Sequence, residues 1–223
     1  ENLWTLETLS AGHLTLTCLP GVGGRLWDVS YGGVSLLFQN SELFGTPIDL
    51  ERLTALPTRS PQYPFPLWGG EKTWIAPDRN WPEGAPHPVL DSGPYRCVAR
   101  SDTSLHLQSQ ICPHSKLRID REIRITGTNA WTILHHVSNK GSHPRFTGIW
   151  SVLMLRTPNK IGVLTDPQST PCAIFGDAGD KVRSCSAGSV TTCDTLHEFK
   201  IGLRSQAGTT LIRLGRGEQP LWL

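Results

Sequence analysis

Hydrophobic and polar residues alternate with a period of two through much of this chain, which is the pattern of strands with one buried face. In residues 13–19, Leu14, Leu16 and Cys18 alternate against His13, Thr15 and Thr17. Pro20, Gly21, Gly23 and Gly24 break that run. Alternation resumes over 25–31, and Gly32-Gly33 supplies a two-residue turn into the apolar run 34–38. Further strands are predicted at 95–100, 104–111, 117–125, 130–139 and 145–155, and shorter ones at 161–164, 172–175, 189–193, 197–204 and 209–214. Only 46–56 reads as a helix: Thr46 can cap it, Pro47 suits the first helical position, and Asp49 and Glu51 favour the positive end of the dipole. Many short strands and almost no helix predict an antiparallel all-β sandwich, in a single domain over 1–223.

The alternation fails between 57 and 94, where the chain turns rich in Pro, Gly and Trp and reads as a long ordered loop. At its centre the run WGGEKTWIAPDRNWP, residues 68–82, interleaves three tryptophans with two acids, a lysine and an arginine. Tryptophan is costly to leave in water, so such a segment is either a binding wall or a plug packed into its own domain.

Composition narrows the function classes. A net charge of +2 and a pI near 8.3 give no basic field for nucleic acid or an anionic membrane surface. No apolar run is long enough to span a bilayer, and no basic-then-apolar leader opens the chain. A soluble protein is expected, with a cytoplasmic setting favoured over a periplasmic one. The six cysteines, at 18, 97, 112, 172, 185 and 193, include no CxxC pair, which removes the usual sign of zinc knuckles and thioredoxin-type sites. Free buried thiols are expected, with a Cys185–Cys193 hairpin disulfide as the oxidised alternative. No GxSxG, P-loop, HExxH or dinucleotide fingerprint occurs.

Within 117–125 the apolar register Leu117, Ile119, Ile123, Ile125 puts Arg121 on the same side. Either a bulge turns it outward or it points into a concave groove, because an unpaired buried charge costs several kcal/mol. In Ile133-Leu134-His135-His136-Val137 one histidine faces each side of the sheet; the commoner reading is one core histidine bonded to backbone and one at the surface, and the alternative is that either serves as an acid or base near neutral pH. A site for a neutral sugar needs flat apolar faces for the C–H side of the ring and planar hydrogen-bonding groups for the hydroxyls. Trp74, Trp81 and Trp150 are the candidate wall. Lys72, Asp78, Arg79, Asp91, Arg121, His136 and Lys200 are candidate polar contacts. Lys200 alternates with Phe199 and Ile201, so a solvated strand face explains it equally well. Asn139 reads as a turn residue, and Asp177 and Asp180 in GDAGD read as a turn rather than a calcium site.

Taken in order, GVGGRL after Pro20, GG-x-K-x-W-x-A-P at 69–77, the Pro-rich segment ending at Asp91, HHVSNKG at 135–141, Trp150, and FKIG at 199–202 resemble the galactose-mutarotase-like group, and within it the DUF4380-type bacterial branch. The resemblance spans nearly the whole chain. It implies a β-supersandwich whose curved sheet holds a monosaccharide or the sugar end of a glycan, with no cofactor and no metal. It also implies aldose-epimerase chemistry: a base removes the anomeric hydroxyl proton, an acid protonates the ring oxygen, and the opened sugar recloses on either face. The chain departs from that pattern in two places. Where hexose-phosphate epimerases of the group carry a Leu-His pair, this chain has Ile149-Trp150. Beyond FKIG, Glu218 is the one carboxylate left, and its neighbours do not match the group's glutamate strand.

The resulting expectation is a carbohydrate-binding protein in which His135 or His136 works with a carboxylate of the loop, Glu71, Asp78 or Asp91. A lectin-like module without catalysis and a protein-docking tryptophan loop are the alternatives. Paired carboxylates for glycoside hydrolysis, Glu71 with Asp78 or Asp91, rank below epimerisation.

Overall fold

The computed structural model describes every residue except 1, 58, 59, 61, 166–169, 194–197 and 215–220. The chain divides into two compact units, residues 1–154 and 155–223. Both are built from antiparallel strands, as the alternation predicts.

In the first unit, β1 (Glu7–Ala11), β2 (Leu14–Leu19), β3 (Arg25–Tyr31), β4 (Val34–Ser35) and β5 (Glu71–Ala76) precede β6 (Arg96–Arg100), β7 (Ser104–Gln108), β8 (Leu117–Gly127), β9 (Ala130–Asn139) and β10 (Gly148–Leu153). They form two sheets. One runs β1-β2-β3-β5-β10 with β4 beside β3, and the other runs β6-β7-β8-β9. Leu16, Cys18, Leu26 and Val29 of the first sheet and Leu105, Leu107, Ile119 and Ile123 of the second are fully buried. At roughly 1.5–3 kcal/mol for each large aliphatic side chain removed from water, these residues are the main cohesion of the sandwich. Gly32 and Gly33, both at positive φ, turn β3 into β4 with Tyr31 opposite Val34, the two-residue hairpin expected from the sequence.

Two expectations fail here. Residues 46–56 are not a helix; Asp49 Oδ1 accepts the Glu51 N–H, and a single 3-10 turn, Leu53–Ala55, follows. A helix would have pointed its apolar side chains to one stripe, whereas Ile48, Leu50, Leu53 and Leu56 all join one cluster with Leu19, Val22, Trp27, Leu43 and Trp68. The local Asx turn competes with the helix, and burial decides the outcome. The run 57–94 is also not loop throughout, because its centre is β5, which bridges β3 and β10 inside the first sheet.

The second unit holds β11 (Asn159–Thr165), β12 (Cys172–Phe175), β13 (Val182–Cys185), β14 (Gly188–Cys193), β15 (Lys200–Gly202), β16 (Ser205–Leu214) and β17 (Leu221–Trp222). Its larger sheet runs β13-β14-β11-β16-β17, and β12 pairs with β15. The β13–β14 hairpin sets Cys185 opposite Gly188 and sends Cys193 to the far end, opposite Asn159, so the register does not bring the two sulfurs together. Of the six thiols, Cys18 and Cys112 are buried as expected, whereas Cys97, Cys172 and Cys185 are exposed. Asp177 Oδ1 accepts the Gly179 N–H, which makes it a turn residue. Glu218 lies outside the described residues.

Candidate functional site

Strand β5 places three of the predicted site residues, Glu71, Lys72 and Trp74, and its pleat sorts them. Successive side chains of a strand point to opposite faces. Glu71 and Thr73 therefore face β8 and β9, while Lys72 and Trp74 face the chain that returns through Asp91. The paired strand β10 repeats the split, with Ser151 opposite Thr73 and Trp150 opposite Trp74.

On the inner face Arg121 is 0% exposed and pairs with the Glu71 carboxylate, and its Nη1 reaches the Glu71 carbonyl. No bulge displaces it, since the β8 register is unbroken from Leu117 to Ile125. It points inward, not into an open groove, and its counter-charge comes from a strand 50 residues earlier. Glu71 also accepts from the Ser151 hydroxyl at 3.0 Å and lies 3.9 Å from His135 Nε2. The His135 Nδ1 shares a 2.6 Å hydrogen bond with the Thr73 hydroxyl. Burial, with the nearby Arg121 cation as the second cause, holds the His135 imidazole below the ordinary histidine pKa, against the pull of Glu71. Burial thus favours the neutral form of this ring.

This face is uncovered at its margin. Each of β9 and β10 has one strand neighbour and so forms an edge of its sheet. Ile149, on the inner face of β10, is 47% exposed, and Ser151 and Leu153 are exposed too. Trp131, Ile133 and Val137, on the His135 side of β9, are half-buried. Apolar walls thus flank the hydroxyl, carboxylate and imidazole groups.

The outer face holds a second ionic group of different character. Asp91 ends α1 (Pro88–Asp91). Its carboxylate accepts from Arg25 at 3.4 Å, Lys72, Trp74 at 2.8 Å and Ser92 at 2.7 Å. Arg25, Lys72, Trp74 and Ser92 are all buried, and the Lys72 ammonium also sits 4.1 Å from the centre of the Trp74 ring. Burial pushes the Arg25 guanidinium down to about 9 and the Lys72 ammonium below its ordinary value. The glycines of GVGG and WGG make this closure possible. A Cβ on Gly23 would lie 1.9 Å from the Asp91 carbonyl, and one on Gly70 would lie 2.4 Å from that of Leu26, both at positive φ.

The three predicted wall tryptophans do come together. Trp74 meets Trp81 and Trp150 edge-on at 5.2 and 5.4 Å, and Trp81 stacks on Trp150 at 6.1 Å and 23°. Trp74 is buried, whereas Trp81 and Trp150 are half-buried and form a small aromatic shelf. Trp68 is a core residue whose Nε1 donates to Ser92.

Alternation along β5 and β10 sets this shelf on the face opposite His135, so one sugar ring cannot touch both. Asp78 and Arg79 lie exposed in a 3-10 turn after β5. His136 is exposed and turned away from Glu71 by the same alternation. Lys200 stands half-buried on β15 of the second unit. Thr73 and Ser151 were not anticipated, since a hydroxyl in a strand carries no local signal of its partner. Among the described residues no group of three or more His, Cys, Asp or Glu side chains is placed to hold a metal ion.

No protein-family model, curated protein or solved structure matches this chain.

Proposed function

We propose that this protein binds a carbohydrate, a monosaccharide or the sugar end of a glycan, at the uncovered inner face between β9 and β10. In this reading His135 is the acid/base group for opening and reclosing the ring. The observation that carries the proposal is the cluster Thr73–His135–Glu71–Ser151, in which Thr73 hydrogen-bonds His135, Ser151 hydrogen-bonds Glu71 and the His135 Nε2 lies 3.9 Å from the Glu71 carboxylate, flanked by partly exposed apolar side chains. The motif resemblance to the galactose-mutarotase-like group, with the supersandwich fold it implies, supports the same reading.

The neutral imidazole accepts the anomeric hydroxyl proton as the bond from C1 to the ring oxygen breaks. The resulting imidazolium, held by Glu71, returns a proton to the ring oxygen, and reclosure on either face reverses the transfer. His135 and Glu71 lie too close to each other to flank a pyranose, so they act as one unit and the imidazole serves as both base and acid. The test is the decay of optical rotation of freshly dissolved aldoses, compared between the wild type and His135→Gln. Acceleration that falls by about 10²-fold or more in the variant is the expected result. Equal rates in the two proteins would refute the assignment.

A second reading rests on the stacked Trp81–Trp150 shelf, which offers a flat surface to the C–H face of a sugar without catalysis. It predicts sugar-dependent tryptophan quenching that Trp150→Ala removes and His135→Gln leaves intact.

A further inference from the structure

Cys112 and His87 lie away from the proposed sugar site and have no part in it. Cys112 belongs to the turn between β7 and β8, where its N–H donates to the Leu117 carbonyl and its carbonyl accepts from Lys116. Its sulfur accepts the Ser115 N–H at 3.4 Å, and the His87 side chain is among the neighbours that lower the thiol's pKa. His87 precedes α1, is 5% exposed, and its Nδ1 has no hydrogen-bond partner. The His114 ring lies 5.4 Å from that of His87. All three residues line a cavity of about 440 Å³ whose remaining wall is largely apolar, including Leu50, Leu53, Phe65 and Val89.

A buried imidazole nitrogen without a partner is costly unless something occupies the space in front of it. A thiol beside it is therefore placed where a proton acceptor and a soft nucleophile meet a ligand-sized apolar hollow. We propose that Cys112 and His87 form a nucleophilic thiolate–imidazole pair at the wall of this cavity, and that the site takes a neutral organic electrophile by covalent attachment to sulfur. Neutrality follows from the carboxylates at the same cavity. Glu51 and Glu83 are exposed at its margin, so an anion is disfavoured. The two buried thiols differ as this requires. Burial raises both, but the neighbouring His87, Ser115 and His114 bring Cys112 down to about 7, while Cys18, with no such neighbours, is pushed up to about 12.

Iodoacetamide is a suitable neutral probe. The thiolate lone pair forms the S–C bond as the C–I bond breaks, iodide leaves with the electron pair, and the thiol proton remains on His87. Native protein is alkylated across a pH series and the modified cysteines are identified by peptide mass spectrometry. The expected result is Cys112 labelling with a midpoint at about pH 7, no labelling of Cys18, and slower labelling of Cys112 by the anionic iodoacetate. His87→Gln is expected to move the midpoint up towards the ordinary thiol value of ~8.5. A wild-type midpoint already at that ordinary value, or Cys112 that reacts only after unfolding, would overturn the proposal. An unmoved midpoint in the variant would overturn the pairing, and equal rates with the two reagents would overturn the neutral class.

Discussion

The two faces of β5 carry the same elementary chemistry, a buried carboxylate against a buried cation, and close it in different ways. On the outer face Asp91 is surrounded by Arg25, Lys72, Trp74 and Ser92, every one of them buried. The group is buried and mutually paired, so it is a lock that ties the returning chain to the sheet. On the inner face Glu71 is satisfied by Arg121 and Ser151 but leaves His135 beside it at a sheet edge, with exposed side chains around it. Charge alone therefore does not mark a site. What separates structural from chemical use is whether a titratable group remains that solvent and a ligand can meet.

The contrast is sharpest in stability. Asp91→Ala leaves Lys72 and Arg25 buried without their carboxylate, and loss of about 3–5 kcal/mol in urea unfolding is expected. Glu71→Gln keeps a hydrogen-bonding side chain while removing the counter-charge of Arg121, and about 2–3 kcal/mol is expected. If both substitutions cost less than ~1 kcal/mol, the burial of these ion pairs is misread.

Acid separates the faces next. The folded pKa of His135 lies below its unfolded value, so folding favours the neutral ring. Its contribution is full above the unfolded value of ~6.5 and is lost as pH falls from there through the folded pKa. Unfolding free energy followed from pH 7 to pH 5 is expected to fall less steeply in His135→Gln than in the wild type, and identical slopes would contradict the shift. The smallest effect belongs to the shelf. Trp150→Ala removes ring contacts worth about 0.5–1.5 kcal/mol each and should leave any effect on sugar ring opening in place.

How much of this could be read from the sequence depends on how far away each partner lies. Strands with apolar residues on one face and polar ones on the other, such as 25–31 and 130–139, match β3 and β9 to the residue. Strand β5 was hidden because Glu71 and Lys72 make it look like a loop. Their partners, Arg121 and Asp91, are 50 and 19 residues away, and no local pattern shows that both faces are neutralised. Arg121 stands out in the sequence as a charge among isoleucines, and its counter-charge, Glu71, lies on another sheet. The tryptophan cluster was legible as a cluster, but its separation from the histidine was not. That separation follows from the pleat once 71–76 is known to be a strand. The stretch 46–56 reads as helical from its caps and charges, yet burial against Trp68 and Trp27 decides its shape.

The central claim is that the open inner face, and not the aromatic shelf, meets the sugar. The most direct test is an NMR titration of the histidine ring and tryptophan indole resonances with a panel of free aldohexoses. Movement of the His135 ring signals, saturating with sugar while the Trp81 and Trp150 indoles stay fixed, is the predicted result. Movement of those two indoles with an unchanged His135 would contradict the claim and place binding on the other face of β5.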